Sequence, residues 1–87
     1  MTEATTGSAA PRVRLIGKPS CHLCDEARSV IAAVCAELGE TFDEVSILDD
    51  PSLADQYWEL IPVTMVDGHQ LSTWTVDAVA LRRALTS

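Results

Sequence analysis

Basic residues are scarce in this chain: six lysines and arginines face thirteen acidic side chains, for a formal net charge of -7. A sequence-independent grip on nucleic-acid phosphates needs clustered Lys and Arg, and these six are spread out, so nucleic acid is not expected as a partner. No apolar run approaches the roughly 20 residues that cross a bilayer, and Met1-Thr2-Glu3-Ala4-Thr5-Thr6 has neither the basic nor the apolar region of a signal peptide. A cytoplasmic protein with no membrane partner is the expectation. There are only three cysteines, an odd number that does not suit a framework of structural disulfides, which a reducing cytosol disfavours anyway. Internal repeats and low-complexity stretches are also missing.

What remains is an 87-residue chain with 47% hydrophobic and 22% charged residues, enough for one shared core and not for two. Residues 1–11 are rich in Thr, Ala, Gly and Ser without periodicity and are expected to form a flexible tail, leaving 12–87 as a single domain. Val13, Leu15 and Ile16 make a short apolar strand that stops at Gly17-Lys18-Pro19. From Cys24 to Leu38, Ala27, Val30, Ile31, Val34 and Leu38 recur at helical spacing on a face that includes Leu23, and Gly39 stands at the C-terminal cap position.

Thr41 to Leu48 alternates Phe42, Val45 and Ile47 as a second strand. Asp50 before Pro51 caps a short helix over Ser52 to Trp58. Val63 to Val66, the turn Asp67-Gly68 and Gln70 to Ser72 form a hairpin, because Asp-Gly supplies the positive φ angles of a tight turn. Thr75 is expected to cap a last helix from Val76 to Leu85, with Trp74 stapled onto Val79. The order βαβαββα, with a right-handed crossover first and a hairpin later, predicts an α/β fold: a mixed four-stranded sheet flanked by helices.

Cys21-His22-Leu23-Cys24 falls between the first strand and the first helix. Unpaired N–H groups and the positive end of the helix dipole favour an anion there, so Cys21 is the expected nucleophile. Cys24 follows one turn later and is placed to attack a mixed disulfide on Cys21 as the resolving thiol. Lys18 adds positive potential, whereas Asp25 and Glu26 oppose it. Half of a zinc site is the competing reading, but four ligands are usual and only Cys35, His22 and His69 remain, with no second spaced pair. His22 either favours a neighbouring thiolate or simply faces solvent. Cys35 lies eleven residues past Cys24, roughly 16 Å along one helix and beyond disulfide reach. It is expected as a half-buried residue at the edge of the apolar face. Locally, Ile61-Pro62 is a plain strand-starting proline, since only about 5–6% of X-Pro bonds are cis.

On Lys18-Pro19-Ser20-Cys21-His22-Leu23-Cys24 and Ile61-Pro62-Val63, the chain from about Val13 to Leu85 resembles the glutaredoxin family, within the thioredoxin fold, and especially a branch of small bacterial glutaredoxin-like proteins. The resemblance implies a cis-proline at Pro62, Cys21 as attacking and Cys24 as resolving thiol, Lys18 as a contact for a glutathione carboxylate, and Ile61 as backbone that pairs with substrate. It implies a monomeric oxidoreductase in electron transport that needs no organic or metal cofactor. Its substrates would be disulfide-containing proteins or small mixed disulfides. Glutathione, another small thiol or a reductase would donate the electrons.

Two departures stand out. His22-Leu23 replaces the family's Pro-Tyr, and Ser72-Thr73-Trp74-Thr75 replaces a glycine pair trailed by a Cys and an acidic or Ser residue, with Thr75 alone keeping a capping hydroxyl. Bulky side chains there narrow a site that glycine leaves open. The alternatives are a non-catalytic binding module on the same fold, or zinc or an iron-sulfur cluster held between two chains by Cys21 and Cys24.

Overall fold

A computed structural model describes residues 11–86. The expected tail falls almost wholly outside the described residues. Strand β1 (Val13–Gly17) leads through a turn into helix α1 (His22–Leu38), which returns to β2 (Phe42–Ser46). Helix α2 (Pro51–Tyr57), the hairpin strands β3 (Val63–Val66) and β4 (His69–Thr73), and helix α3 (Ala78–Thr86) complete the expected order. The sheet runs β2-β1-β3-β4, with β1 parallel to β2 and antiparallel to β3, and β3 antiparallel to β4.

Alternation along β1 divides the core in two. Val13 and Leu15 face α1 and α3, where they meet Ala27, Ile31, Val34, Leu81 and Leu85 in one buried cluster. Ile16 faces the other way and joins Val63 and Ile47 beneath α2, a helix with no fully buried residue. The sheet is therefore well covered on the α1/α3 side and thinly on the α2 side. Cys35 belongs to the first cluster and is only 2% exposed, so it is a core residue and not the half-buried edge residue expected.

Most local chemistry is where the residues placed it. Gly39 ends α1 in the left-handed region (φ 70, ψ 25), which lets the Glu40 N–H reach the Cys35 carbonyl at 2.9 Å. The Asp50 carboxylate accepts the Ser52 N–H at 2.9 Å, with Pro51 in the first turn. Asp67 (φ 52) and Gly68 (φ 83) both take positive φ, giving the two-residue hairpin turn that suits the twist of the strands. In β4, Leu71 is an extra residue between Ser72, opposite Thr64, and Gln70, opposite Met65.

The start of α3 differs from expectation. Its cap is Asp77, whose carboxylate accepts the Ala80 N–H at 3.2 Å, two residues beyond Thr75. The staple does not form either: the Trp74 indole N–H donates to the Glu59 carbonyl, and Val79 is 49% exposed. The reason lies in the tertiary contacts of residue 74, which hold the chain against the β3 side until Thr75.

Arginines tie the elements together at the surface. Arg12 forks onto Asp67 and reaches both the Glu40 carboxylate and the Leu85 carbonyl, Arg14 forks onto Asp43, and Arg82 onto Glu37. Hydrogen bonds from Arg14 and Arg12 hold the Asp43 and Asp67 carboxyls below the usual aspartate value of 3.8. Because these groups have depressed folded-state values, their contribution to stability is complete above pH 3.8 and is lost as pH falls below it. Thermal unfolding followed between about pH 2 and about pH 6 is expected to show that loss on the acid side, and Arg14→Ala to flatten it. Asp77→Ala should cost about 1 kcal/mol in urea unfolding and Thr75→Ala no more than a few tenths, the reverse of what a Thr75 cap requires.

Candidate redox site

Three local features bring the cysteines together. Lys18, Pro19 and Ser20 turn the chain out of β1, with Ser20 in the left-handed region (φ 59), a conformation uncommon for serine. Cys21 then takes extended backbone angles (φ -108, ψ 114) as the N-cap of α1. Its sulfur accepts the Cys24 N–H at 3.2 Å, so a thiol fills the place usually taken by a Ser or Asp oxygen. A sulfur that faces the donor end of a helix has the electrostatic setting a thiolate needs.

The two thiols differ in surroundings. Cys21 is partly exposed and Cys24 has no exposed surface, and both are free. Burial above all, then the hydrogen bond to Cys21 and the charge of Cys21, and last the Glu44 carboxylate, push the Cys24 thiol up to about 11, while the Lys18 backbone N–H works in the opposite direction. A partly exposed sulfur therefore stands in front of an inner thiol that stays protonated at neutral pH. Burial likewise raises Cys35, which lies far along α1 in the core.

Gly17 is a residue that periodicity did not single out. A Cβ at this position would lie 2.8 Å from the Cys24 sulfur, so the absence of a side chain at the end of β1 makes room for the inner thiol. A glycine closing an apolar strand immediately before a cysteine pair was the available signal. Arg28 is a second omission. It binds both carboxylate oxygens of Glu44 (2.7 and 2.6 Å) and Asp25 at 2.7 Å, which joins α1 to β2 beside Cys24. The Asp25 charge expected to oppose a thiolate is thus shared with Arg28, and Glu26 pairs with His22 at 2.9 Å.

The remaining expected site residues lie at varying depth. His22 is highly exposed, and Lys18 is exposed at the mouth of a cleft bordered by Asp25, Arg28 and Glu44. The Ile61-Pro62 bond is cis, and Pro62 is buried. The Ile61 N–H donates to the Tyr57 carbonyl at 3.1 Å. Thr75 is exposed and lines a small groove of about 80 Å³ between α1 and the β4–α3 loop, with Leu23 and Glu26 opposite and Trp74 and Val76 beside it.

Trp74 connects the parts. Its N–H donates to the Pro62 carbonyl at 2.7 Å, and the Thr75 N–H reaches back to the Thr73 carbonyl at 2.7 Å. The latter bond closes a three-residue γ-turn with Trp74 at its centre, where φ is 64. A tryptophan thus holds a left-handed conformation that costs about 1–3 kcal/mol for a side chain of its size, and its own hydrogen bonds keep it there. Among the described residues no three His, Cys, Asp or Glu side chains converge as a metal site, and no helix is long and apolar enough to cross a membrane.

Iodoacetamide at about pH 8, where exposed thiols begin to ionise, should label Cys21 in the folded protein and spare Cys24 and Cys35 until denaturant is added. Peptide mapping reads the labels, and equal labelling of the three would contradict the burial described. Gly17→Ala should destabilise by about 1–3 kcal/mol, because the new methyl group must displace the Cys24 sulfur. The same change should also shift the equilibrium between dithiol and disulfide forms, a readout that simple core strain elsewhere leaves alone.

Known proteins bear on this geometry. A model of the glutaredoxin-like domain (DUF836) family matches residues 12–86. Uncharacterised proteins of Mycobacterium tuberculosis and Mycobacterium bovis are 32% identical over 79 residues, covering 83% of this chain and 79% of theirs. A structural genomics target protein from X. campestris, solved by X-ray, superposes with a TM-score of 0.70 at 35% identity, over 84% of this chain and 93% of that one. A protein from Nitrosomonas europaea, solved by NMR, gives a TM-score of 0.69 at 17% identity over 84% and 88% of the two chains, a likeness of fold. With its cysteine pair at the start of α1 and its cis-proline before β3, the chain belongs to the glutaredoxin-like domain family.

Proposed function

We propose that the protein is a thiol-disulfide oxidoreductase that works by dithiol exchange through Cys21 and Cys24. One observation carries this reading: the outer sulfur sits at a helix N-terminus accepting an amide N–H at 3.2 Å, with a free, buried thiol one turn behind it.

The steps derive from that geometry. The Cys21 thiolate attacks one sulfur of a substrate disulfide; a new S–S bond forms, the substrate's own S–S bond breaks, and the departing thiolate takes a proton from solvent. Cys24 then loses its proton, attacks the Cys21 sulfur and displaces the second substrate thiolate. Two electrons have passed from the dithiol to the substrate, which leaves as two thiols, and Cys21 and Cys24 are joined. An external thiol or dithiol reductase then reduces the Cys21–Cys24 bond and restores the pair. The cytosolic setting and a role in electron transport belong to the same proposal, as do Lys18, His22, Ile61, Pro62 and Thr75 as residues that border the approach to Cys21.

The protonation state of Cys24 sets the pH dependence. A thiol pushed up to about 11 is almost wholly protonated at neutral pH, so its thiolate fraction rises about tenfold per pH unit below that value. Release of a trapped substrate from Cys21 should therefore accelerate by about tenfold per pH unit between about 6 and 9. Rapid-quench measurement of the release step gives that slope.

The central test compares wild type, Cys21→Ser and Cys24→Ser on one mixed disulfide. Cys21→Ser should fall to the uncatalysed rate, and Cys24→Ser should accumulate a covalent adduct on Cys21 visible by mass spectrometry. Exchange that survives in Cys21→Ser would overturn the proposal.

A further inference from the structure

We infer that the disulfide this site accepts is carried by a polypeptide whose residues next to the cysteine are apolar and basic, and that Trp74 and Glu26 select it in preference to glutathione. The inference rests on the exchange reading and deepens it.

A substrate that reaches Cys21 must lie against the first turn of α1, and the groove there runs between Leu23 and Val30 on the helix and Trp74 and Val76 on the β4–α3 loop. Leu23 is 41% and Trp74 52% exposed, so two large apolar side chains stand uncovered in the groove along the first turns of the helix that Cys21 caps. At about 80 Å³ the groove suits a single side chain. Glutathione offers none that is apolar, since its cysteine is flanked by a glycine and a γ-glutamate that each end in a carboxylate. A polypeptide supplies an apolar neighbour to its cysteine directly.

Charge points the same way. Glu26, which pairs with His22 at 2.9 Å yet keeps 60% of its side chain exposed, is the one charged side chain among the described residues of the groove, and it lies within a chain of net charge -7. Three backbone donors in the β4–α3 segment are already engaged: the Trp74 N–H on Pro62, the Thr75 N–H on Thr73, and the Ala80 N–H on the Asp77 carboxylate that caps α3. Arg28 is held by Glu44 and Asp25, and Lys18 borders the other cleft, which does not share the groove's residues. An anion in the groove thus meets the Glu26 charge, whereas a basic side chain gains from Glu26 and from the acidic surface as a whole.

Trp74 is the specificity element because its place is built and not incidental. The γ-turn holds it at positive φ, and its main-chain and indole N–H groups are anchored to the Pro62 and Glu59 carbonyls. The ring therefore forms a fixed wall.

The experiment follows reduced protein by stopped flow with a set of mixed disulfides sharing one chromophoric leaving group: short peptides Leu-Cys-Lys, Leu-Cys-Glu and Gly-Cys-Lys, and glutathione. The rate with 2-hydroxyethyl disulfide in each variant serves as reference. Leu-Cys-Lys should react roughly tenfold faster than glutathione at low ionic strength, with the gap narrowing in about 0.5 M salt. Trp74→Ala should erase the preference for Leu over Gly, Trp74→Phe should retain most of it, and Glu26→Lys should turn the preference for Lys toward Glu. Glutathione reacting as fast as the basic peptide, or preferences that neither substitution moves, would overturn the inference while leaving exchange itself intact. Failure of every disulfide to react would remove the exchange reading and this selectivity with it.

Discussion

A sulfur atom accepting an amide N–H at the first turn of α1 is the contact around which the rest of the molecule is arranged. It exists only if β1 ends where α1 begins, and that junction is held on three sides. The parallel pairing of β1 with β2 fixes where the strand stops, Arg28 clamps α1 to β2 through Glu44, and Gly17 leaves the space that the inner sulfur enters. Moving any of these displaces Cys24, and with it the N–H that faces Cys21. The core of the domain is thus also the support of the site.

The asymmetry between the two cysteines is a matter of depth. One is a cap and must sit at the surface, because the groups it satisfies are the orphan donors of a helix end. The other lies one turn inside, on the face of α1 that packs against the sheet, where burial holds the proton on its sulfur. The amphipathic helix and its N-terminus together set this difference: one sulfur partly exposed at the donor end, the other buried and protonated. The same logic accounts for Cys35, which shares the buried face but is too far along the helix to take part.

On the opposite side of the groove, Trp74 is a bulky side chain on a backbone of positive φ. Tertiary hydrogen bonds to Pro62 and Glu59 hold it there, so its ring forms part of the wall of the groove.

Read alone, the sequence determined the element order, both ends of α1, the Asp50 cap, the Asp-Gly hairpin and the cysteine pair at a helix start. Each of these is set by periodicity or by a residue acting on its own backbone within a few positions. The cis state of Ile61-Pro62 was legible through family resemblance and not through local preference. Tertiary structure alone decided what depends on partners far apart in the chain: the depth of Cys35, the room that Gly17 gives Cys24, the Arg28–Glu44 clamp, and the shift of the α3 cap from Thr75 to Asp77. In the last case Thr75 has the right chemistry for a cap, yet Trp74 is bound to Pro62 and Glu59, and the helix can start only after the chain has left that contact. Local propensity proposes where a helix begins; a long-range hydrogen bond that forms only in the folded sheet decides it.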